Sequence, residues 1–229
     1  MILYHGAWDL VYLAGIDWPW YHSRGAFCWQ QSICWTFILL SGYCIPLSVH
    51  RWKRGLTVFG AGMLVSAVTI LLLPEDRVVF GVLTFLGSAM LLMALTARYL
   101  ELLPDIVFML LSFVLFLIFR NVNAGYLTLI PGRIAALPQS LYRGLFMTWL
   151  GFPERGFFST DYFSMLPWIF LFLTGFYGAL LCRRKGIWAK KVMHAGIAPF
   201  AWMGRHSLLI YLLHQPVLYL MVLLLQLIR

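Results

Sequence analysis

Apolar runs of roughly 17 to 22 residues recur along this chain, each long enough to cross a bilayer. Within hydrocarbon the backbone polar groups of such a run must be satisfied internally, which makes helices the expected form. Of the 229 residues, 62% are hydrophobic and 11% charged, a balance that excludes an ordinary soluble domain. The expected fold is therefore an all-α integral membrane protein: one domain over residues 1–229, built as a polytopic bundle of about seven transmembrane helices.

The spans are drawn at residues 1–15, 29–49, 55–73, 78–97, 106–119, 166–181 and 207–227. The segment at about 120–165 is mixed in character, with helical pieces expected at 133–137 and 140–150 between Pro131, Pro138 and Pro153. It is too interrupted to span and is expected to form an external amphipathic or re-entrant cap. The first span is short for a crossing, and the expectation is that the true start lies upstream of Met1. That run also lacks a basic leader and an A-x-A-like site, so no cleavable signal peptide is expected.

Seventeen Lys and Arg against eight Asp and Glu give a net charge of +9. The basic residues gather in short loops, so topology and anionic headgroups account for them and no nucleic-acid partner is expected. Arg51, Lys53 and Arg54 follow the second span, and Arg183, Arg184, Lys185, Lys190 and Lys191 follow the sixth. If every segment crosses once, loops 50–54 and 183–203 fall on one side, the cytoplasmic one, with the C-terminus external. His50 and His194 lie in these loops, with solvated or headgroup roles as their default. Cys28, Cys34, Cys44 and Cys182 fit neither a zinc site nor a disulfide framework and read as small apolar fillers. Gly42, Gly60, Gly62, Gly81 and Gly87, with Ser41, stand at spacings that let helices approach closely.

Few polar groups remain at membrane depth. The first span carries His5 and Asp9, four residues apart and hence on one helix face. The second carries Gln30, Gln31, Ser32 and Ser41, and the fourth Thr84 and Ser88. The last has Arg205, His206 and Ser207 at its start, then His214, Gln215 and Pro216. His206 and His214 are two turns apart and are expected to share a face near Tyr211, with Pro216 freeing the carbonyl of Leu212 close to His214. Ionisable groups at this depth mark a cavity, a relay or a catalytic site. A carboxylate can orient an imidazole and raise its basicity, as a general base requires.

The runs YHGAWDL at 4–10, FILLSG at 37–42, FGVLTFLG at 80–87, DYFSMLPW at 161–168 and GRHSLLIYLLHQP at 204–216 resemble the motifs of a known family. The chain is similar to the bacterial branch of the heparan-alpha-glucosaminide N-acetyltransferase catalytic-domain family, within a broad group of transmembrane acyltransferases. The resemblance runs from Met1 to about Pro216. It implies a membrane-embedded enzyme moving an acetyl or other acyl group from acetyl-CoA or another acyl-CoA to an amine or hydroxyl of a sugar or envelope glycan component. His5 occupies the place of the family's catalytic histidine, and Asp9 that of its bacterial companion. Three features depart from the pattern. An Arg–Gly stretch before this histidine is absent, Thr84 stands where the family often has His, and the lumenal domain of the lysosomal relative is missing. Heparan itself is therefore not the expected substrate.

On this reading His5, oriented by Asp9, acts as general base or transient acyl carrier, and His214 and Gln215 line the same cavity and hold the thioester carbonyl or its developing oxyanion. Arg205 and His206 meet the donor phosphates, with the Lys190–Lys191 loop as an electrostatic funnel. Trp8 and Ser41 complete the substrate- and donor-binding candidates, and no metal is expected. The expected location is the bacterial cytoplasmic (inner) membrane, with the lipid bilayer as partner and a homodimer compatible with the sequence. Two other classes stay open: a transporter or channel using the same polar line, weakened by the lack of an inverted repeat, and a non-catalytic membrane scaffold.

Overall fold

The computed structural model describes residues 1–130, 133–187 and 196–228. The chain divides into two compact units, one of residues 1–37 with 190–229 and the other of residues 38–189. Helix α1 spans Ile2–Tyr12 and α2 spans Arg24–Tyr43. The division falls within α2, whose residues 24–37 belong to the first unit and 38–43 to the second.

The second unit contains α3 (Arg51–Leu72), α4 (Val82–Leu100), α5 (Asp105–Phe119), α6 (Leu145–Leu150) and α7 (Met165–Arg184). Helices α3 and α4 form one close pair, and α5 and α7 another. Side-chain-free positions make these approaches possible. A Cβ on Gly87 would stand 2.4 Å from the backbone nitrogen of Phe59, and one on Gly62 would stand 2.6 Å from that of Thr84. Where α2 meets α7, a Cβ on Gly42 would lie 1.9 Å from the carbonyl oxygen of Phe172, and one on Gly175 would lie 2.0 Å from that of Leu39. Helix association in lipid relies on such packing because water does not drive apolar faces together. Gly60 departs from the expectation: its Cβ position meets nothing within 4 Å, so it faces away from any helix contact. Phe85, Phe116, Phe172, Phe176 and Tyr177 fill the core of this unit.

Four helix ends meet at an ionic cluster. Arg51 at the start of α3 binds Glu101 after α4 at 3.1 Å, and Arg183 at the end of α7 reaches the other oxygen of Glu101 at 3.4 Å. Arg184 pairs with Asp105 at the start of α5 at 2.9 Å. Asp105 at a helix N-terminus and Arg183 and Arg184 at a C-terminus also complement the helix dipoles. The sequence expectation placed loops 50–54 and 183–203 on one side, and Arg51 and Arg183, one from each, share Glu101.

The 120–165 region differs from expectation in detail. Residues expected to be helical at 133–137 instead form β2 (Arg133–Ala136), paired antiparallel with β1 (Tyr126–Ile130). Tyr126 faces Ala136 and Thr128 faces Ile134 across the pair. Alternating residues paired across two strands favour a ladder over a helix too short to nucleate. Of the expected piece at 140–150, a 3-10 turn (Gln139–Leu141) and α6 form. The region is anchored by Asn123, which donates to Gly151 O and Ser164 Oγ, and by the Tyr142 hydroxyl on Val122 O. Asp161 accepts the first backbone N–H of α4, from Val82, at 3.1 Å. Burial pushes the Asp161 carboxyl up from its ordinary range, and that hydrogen bond acts against the shift. At Leu166 the helical φ/ψ pattern is broken (φ −89°, ψ 134°), as expected for a residue preceding proline, here Pro167.

Among the described residues five helices are long and apolar enough to cross a membrane: α3, α4, α5 with its extension, α7 and the final helix Ser207–Ile228. Five of the expected seven spans meet that measure, and α1 and α2 do not. Helix α1 has 11 residues, which rise only about 16 Å, short of the roughly 30 Å hydrocarbon core. Helix α2 has the length, but Gln30, Gln31, Ser32, Thr36 and Ser41 lower its hydropathy. The lipid-facing character of the others is visible in exposed Leu64 and Leu71 on α3, Val107 and Leu110 on α5, and Leu220 and Leu225 on the last helix. No disulfide joins the four cysteines.

The glycine contacts make a direct prediction. Gly42→Ala and Gly175→Ala should each lower stability by about 1–3 kcal/mol or more, because a backbone carbonyl must move. Gly60→Ala should leave stability unchanged or raise it slightly. Thermal unfolding in detergent compares the three.

Candidate functional site

The first unit brings together the polar residues of α1 and the last helix, here α9 (Ser207–Ile228), with the short α8 (Ala198–Arg205) before it. Helices α1 and α9 run in the same direction. His5 faces His214, Asp9 meets Gln215, and Gln226 donates to Leu13 O at 2.6 Å. Gly6 lets Leu218 close in, its Cβ position lying 3.5 Å from Leu218 Cδ2.

The His5 and His214 rings stand edge to face, with centroids 4.9 Å apart and an interplanar angle of 64°. His214 is 8% exposed, and its Nδ1 hydrogen-bonds the Tyr211 carbonyl. A carbonyl can only accept, so Nδ1 carries the proton and Nε2 of the neutral ring is left with its lone pair. Asp9 is fully buried, and its Oδ1 accepts the side-chain amide of Gln215 at 3.0 Å. Three atoms of this group are buried without a hydrogen-bond partner: Asp9 Oδ2, His214 Nε2 and Gln215 Oε1. All three are acceptors when Asp9 is ionised, so their shared neighbourhood is poised for a donor such as an amine or a hydroxyl.

This geometry revises the roles drawn from sequence. Asp9 and His5 share a helix, but the side chain bound to Asp9 is Gln215, and the ring facing His5 is His214. His214 with its Nδ1 proton committed to Tyr211 has no donor left for an oxyanion, so the neutral ring is a base. Gln215 spends an amide hydrogen on Asp9. The acceptor His214 uses is the carbonyl of Tyr211, not that of Leu212 freed by Pro216.

His206 and His214 do not share a face. His206 sits between α8 and α9 with non-helical ψ (φ −105°, ψ 16°), which breaks the two-turn register. It is exposed, stacks on Trp202 at 4.7 Å and bonds the Trp202 carbonyl at 3.0 Å. Arg205 is exposed as well. Trp8 packs on Tyr12 with centroids 5.1 Å apart. Ser41 lies on the part of α2 that belongs to the second unit, half-buried. Thr84, also in the second unit, donates to Gly81 O at 2.6 Å. Lys190, Lys191 and His194 lie outside the described residues. Among the described residues no group of three or more His, Cys, Asp or Glu side chains gathers as a metal site.

An aromatic wall beside His5 escaped the sequence reading. Tyr4 contacts His5, Tyr21 and Trp29, with centroids 6.2, 5.5 and 5.3 Å away. Trp20 continues the wall onto Trp29 at 5.8 Å, and Tyr12 onto Tyr21 at 6.1 Å. The signal was present in the Trp18-Pro19-Trp20-Tyr21-His22 run, which folds as a 3-10 turn directed by Pro19.

Gln215→Leu should destabilise the protein by about 1–3 kcal/mol, since it strips the one hydrogen bond from a fully buried carboxyl group. Asp9→Asn in the same background should recover part of the loss. Thermal unfolding of the single and double variants measures both.

Searches of curated proteins and of solved structures gave no match. The family described as "heparan-alpha-glucosaminide N-acetyltransferase, catalytic" matches residues 1–216. That match takes in His5, Asp9, His214 and Gln215 together. With nearly its whole length inside the match, the chain belongs to the heparan-alpha-glucosaminide N-acetyltransferase catalytic-domain family, a family of membrane acetyltransferases.

Proposed function

We propose that this protein transfers an acetyl or related acyl group from an acyl-CoA thioester to an amine or hydroxyl of a sugar or envelope glycan component. The observation that carries the reading is the facing pair of imidazoles, His5 and His214, beside the buried Asp9–Gln215 contact. Family membership supplies the reaction class.

The chemistry assigned to each group follows from its available atoms. In acyl transfer the C–S bond of the thioester breaks and a C–N or C–O bond forms. The acceptor loses a proton, and the departing thiolate takes one up. His214 Nε2, unpartnered and holding its lone pair, is suited to receive the acceptor's proton. His5 faces that ring and either relays the proton or carries the acyl group between two half-steps. Asp9, fixed by Gln215, supplies negative charge that favours an imidazolium during the step. The Tyr4, Tyr21 and Trp29 wall offers ring faces to a sugar acceptor. In this reading the membrane is the bacterial cytoplasmic membrane. The basic helix ends lie on its cytoplasmic side, in keeping with the positive-inside rule.

The test is incubation of the purified protein in nanodiscs with radiolabelled acetyl-CoA and amino-sugar acceptors, beside His5→Ala and His214→Ala. Thioester cleavage or protein labelling should fall by about 10²–10⁴-fold in each variant. Folded variants that both retain full transfer would overturn the assignment.

A further inference from the structure

Tyr21 is the one buried residue in the connection between α1 and α2. It sits in the 3-10 turn Pro19–His22, where Trp18, Pro19, Trp20 and His22 around it are exposed. Tyr21 itself is 8% exposed. Its ring is seated along α1, against Tyr4 at 5.5 Å and Tyr12 at 6.1 Å between centroids. Tyr4 and Tyr12 are separated by two helical turns, a rise of about 12 Å. His5 and Asp9 fall within that interval. The turn therefore folds one phenol over the stretch of α1 that carries the site.

The Tyr21 hydroxyl is buried and has no hydrogen-bond partner. Among the described residues of this unit, it is the only buried, unpartnered side-chain group that carries a proton to donate. The others are Asp9 Oδ2, His214 Nε2 and Gln215 Oε1, all acceptors. Burial above all pushes the Tyr21 phenol up from its ordinary value, and the Tyr4 hydroxyl, Tyr12 and the charge of Asp9 act in the same direction. The phenol therefore stays protonated, and the Asp9 carboxylate is near enough to act on it. A contact made only for stability would join this donor to that acceptor and close both. Here both stay open.

We infer that Tyr21 and Asp9 are the two halves of a hydroxyl-recognising pair, taking a hydroxyl of the acceptor that accepts from Tyr21 Oη and donates to Asp9 Oδ2. A hydroxyl is donor and acceptor at once, so a single such group satisfies both atoms, whereas an ammonium only donates and a carbonyl only accepts. The group being acylated gives its proton to His214 Nε2, and Gln215, next in the chain, is the residue bound to Asp9. The recognised hydroxyl therefore stands beside the reacting group. That makes the acceptor a 1,2-diol or a 1,2-amino alcohol, the pattern a pyranose ring presents. The Tyr4 and Trp29 rings, with centroids 5.3 Å apart, meet the apolar side of such a ring. The pair is closed from solvent, and the turn that carries Tyr21, exposed on either side of that residue, is the part that lifts to admit a sugar. The inference rests on the acyl-transfer reading for the identity of the reacting group, and adds to it the residue that selects the acceptor.

The experiment uses the full chain in nanodiscs and three sugars: methyl glucosaminide, its 3-deoxy analogue, which lacks the hydroxyl beside the amine, and its 6-deoxy analogue, which keeps it. Binding of each is titrated calorimetrically, and transfer from radiolabelled acetyl-CoA is measured in parallel. The unaltered protein should bind and use the 3-deoxy sugar about tenfold or more worse than the other two. Tyr21→Phe keeps the ring and removes only an unpartnered hydroxyl, so its melting temperature should not fall. It should lose about tenfold on methyl glucosaminide and nothing on the 3-deoxy sugar, which erases the preference. A purely structural Tyr21 would lower all three sugars alike. Equal losses on all three, a preference that survives Tyr21→Phe, indifference of the unaltered protein to the 3-deoxy change, or binding of none of the sugars would each overturn the pair. A Tyr21-dependent preference in binding with no transfer to any sugar would uphold the pair and overturn the acyl-transfer reading instead.

Discussion

A carboxyl group sealed from solvent needs a partner, and Asp9 has one: the side-chain amide of Gln215. The arrangement of the first unit follows from that contact. It fixes the register of α1 along α9, and the register in turn sets His5 opposite His214 and Gly6 opposite Leu218. A slip of one residue on either helix would turn Asp9 into an apolar surface with no donor, at a cost of several kcal/mol. Directional hydrogen bonding thus does here what apolar burial does in water: it selects a single alignment.

The same alignment leaves acceptors unused. Asp9 Oδ2, Gln215 Oε1 and His214 Nε2 are buried and without partners. A purely structural polar contact would tend to close such loose ends, since each open acceptor weakens the fold. Concentrating them around two facing imidazoles is instead what a site for a proton-bearing acceptor requires. The Tyr211 carbonyl matters as much as the two histidines, because it decides which nitrogen of His214 holds the proton and therefore which role the ring can take.

The membrane character, the α3 to α5 spans and the small-residue approaches at Gly42, Gly62 and Gly87 were legible in the sequence, because apolar length and small-residue spacing have local causes. His5, Asp9, His214 and Gln215 were legible as candidates, because polar groups at membrane depth are rare. Their pairing was not. Sequence spacing put Asp9 beside His5 on one helix face, whereas the contact made runs between helices, which no single-helix periodicity encodes. The assumed shared face of His206 and His214 failed for a related reason: one non-helical residue between α8 and α9 resets the register. The β1–β2 pair was missed because four or five residues carry too little pattern to separate a strand from a helical turn.

The two kinds of polar feature in this chain obey opposite rules. The α1–α9 group works by scarcity: one acid, two imidazoles and one amide, each with its partner or its open atom defined by a neighbouring backbone or side chain. The helix-end cluster works by excess, with more guanidinium and ammonium groups than Glu101 and Asp105 can neutralise. Scarcity gives orientation, because each side chain has few alternatives. Excess gives reach, because unscreened charge at helix ends attracts anions over about a Debye length, ~8–10 Å at physiological salt. The proposed transfer from a charged donor to a neutral or amine acceptor would draw on both properties, and in this chain they are carried by different residues, so either can be altered by mutation without touching the other.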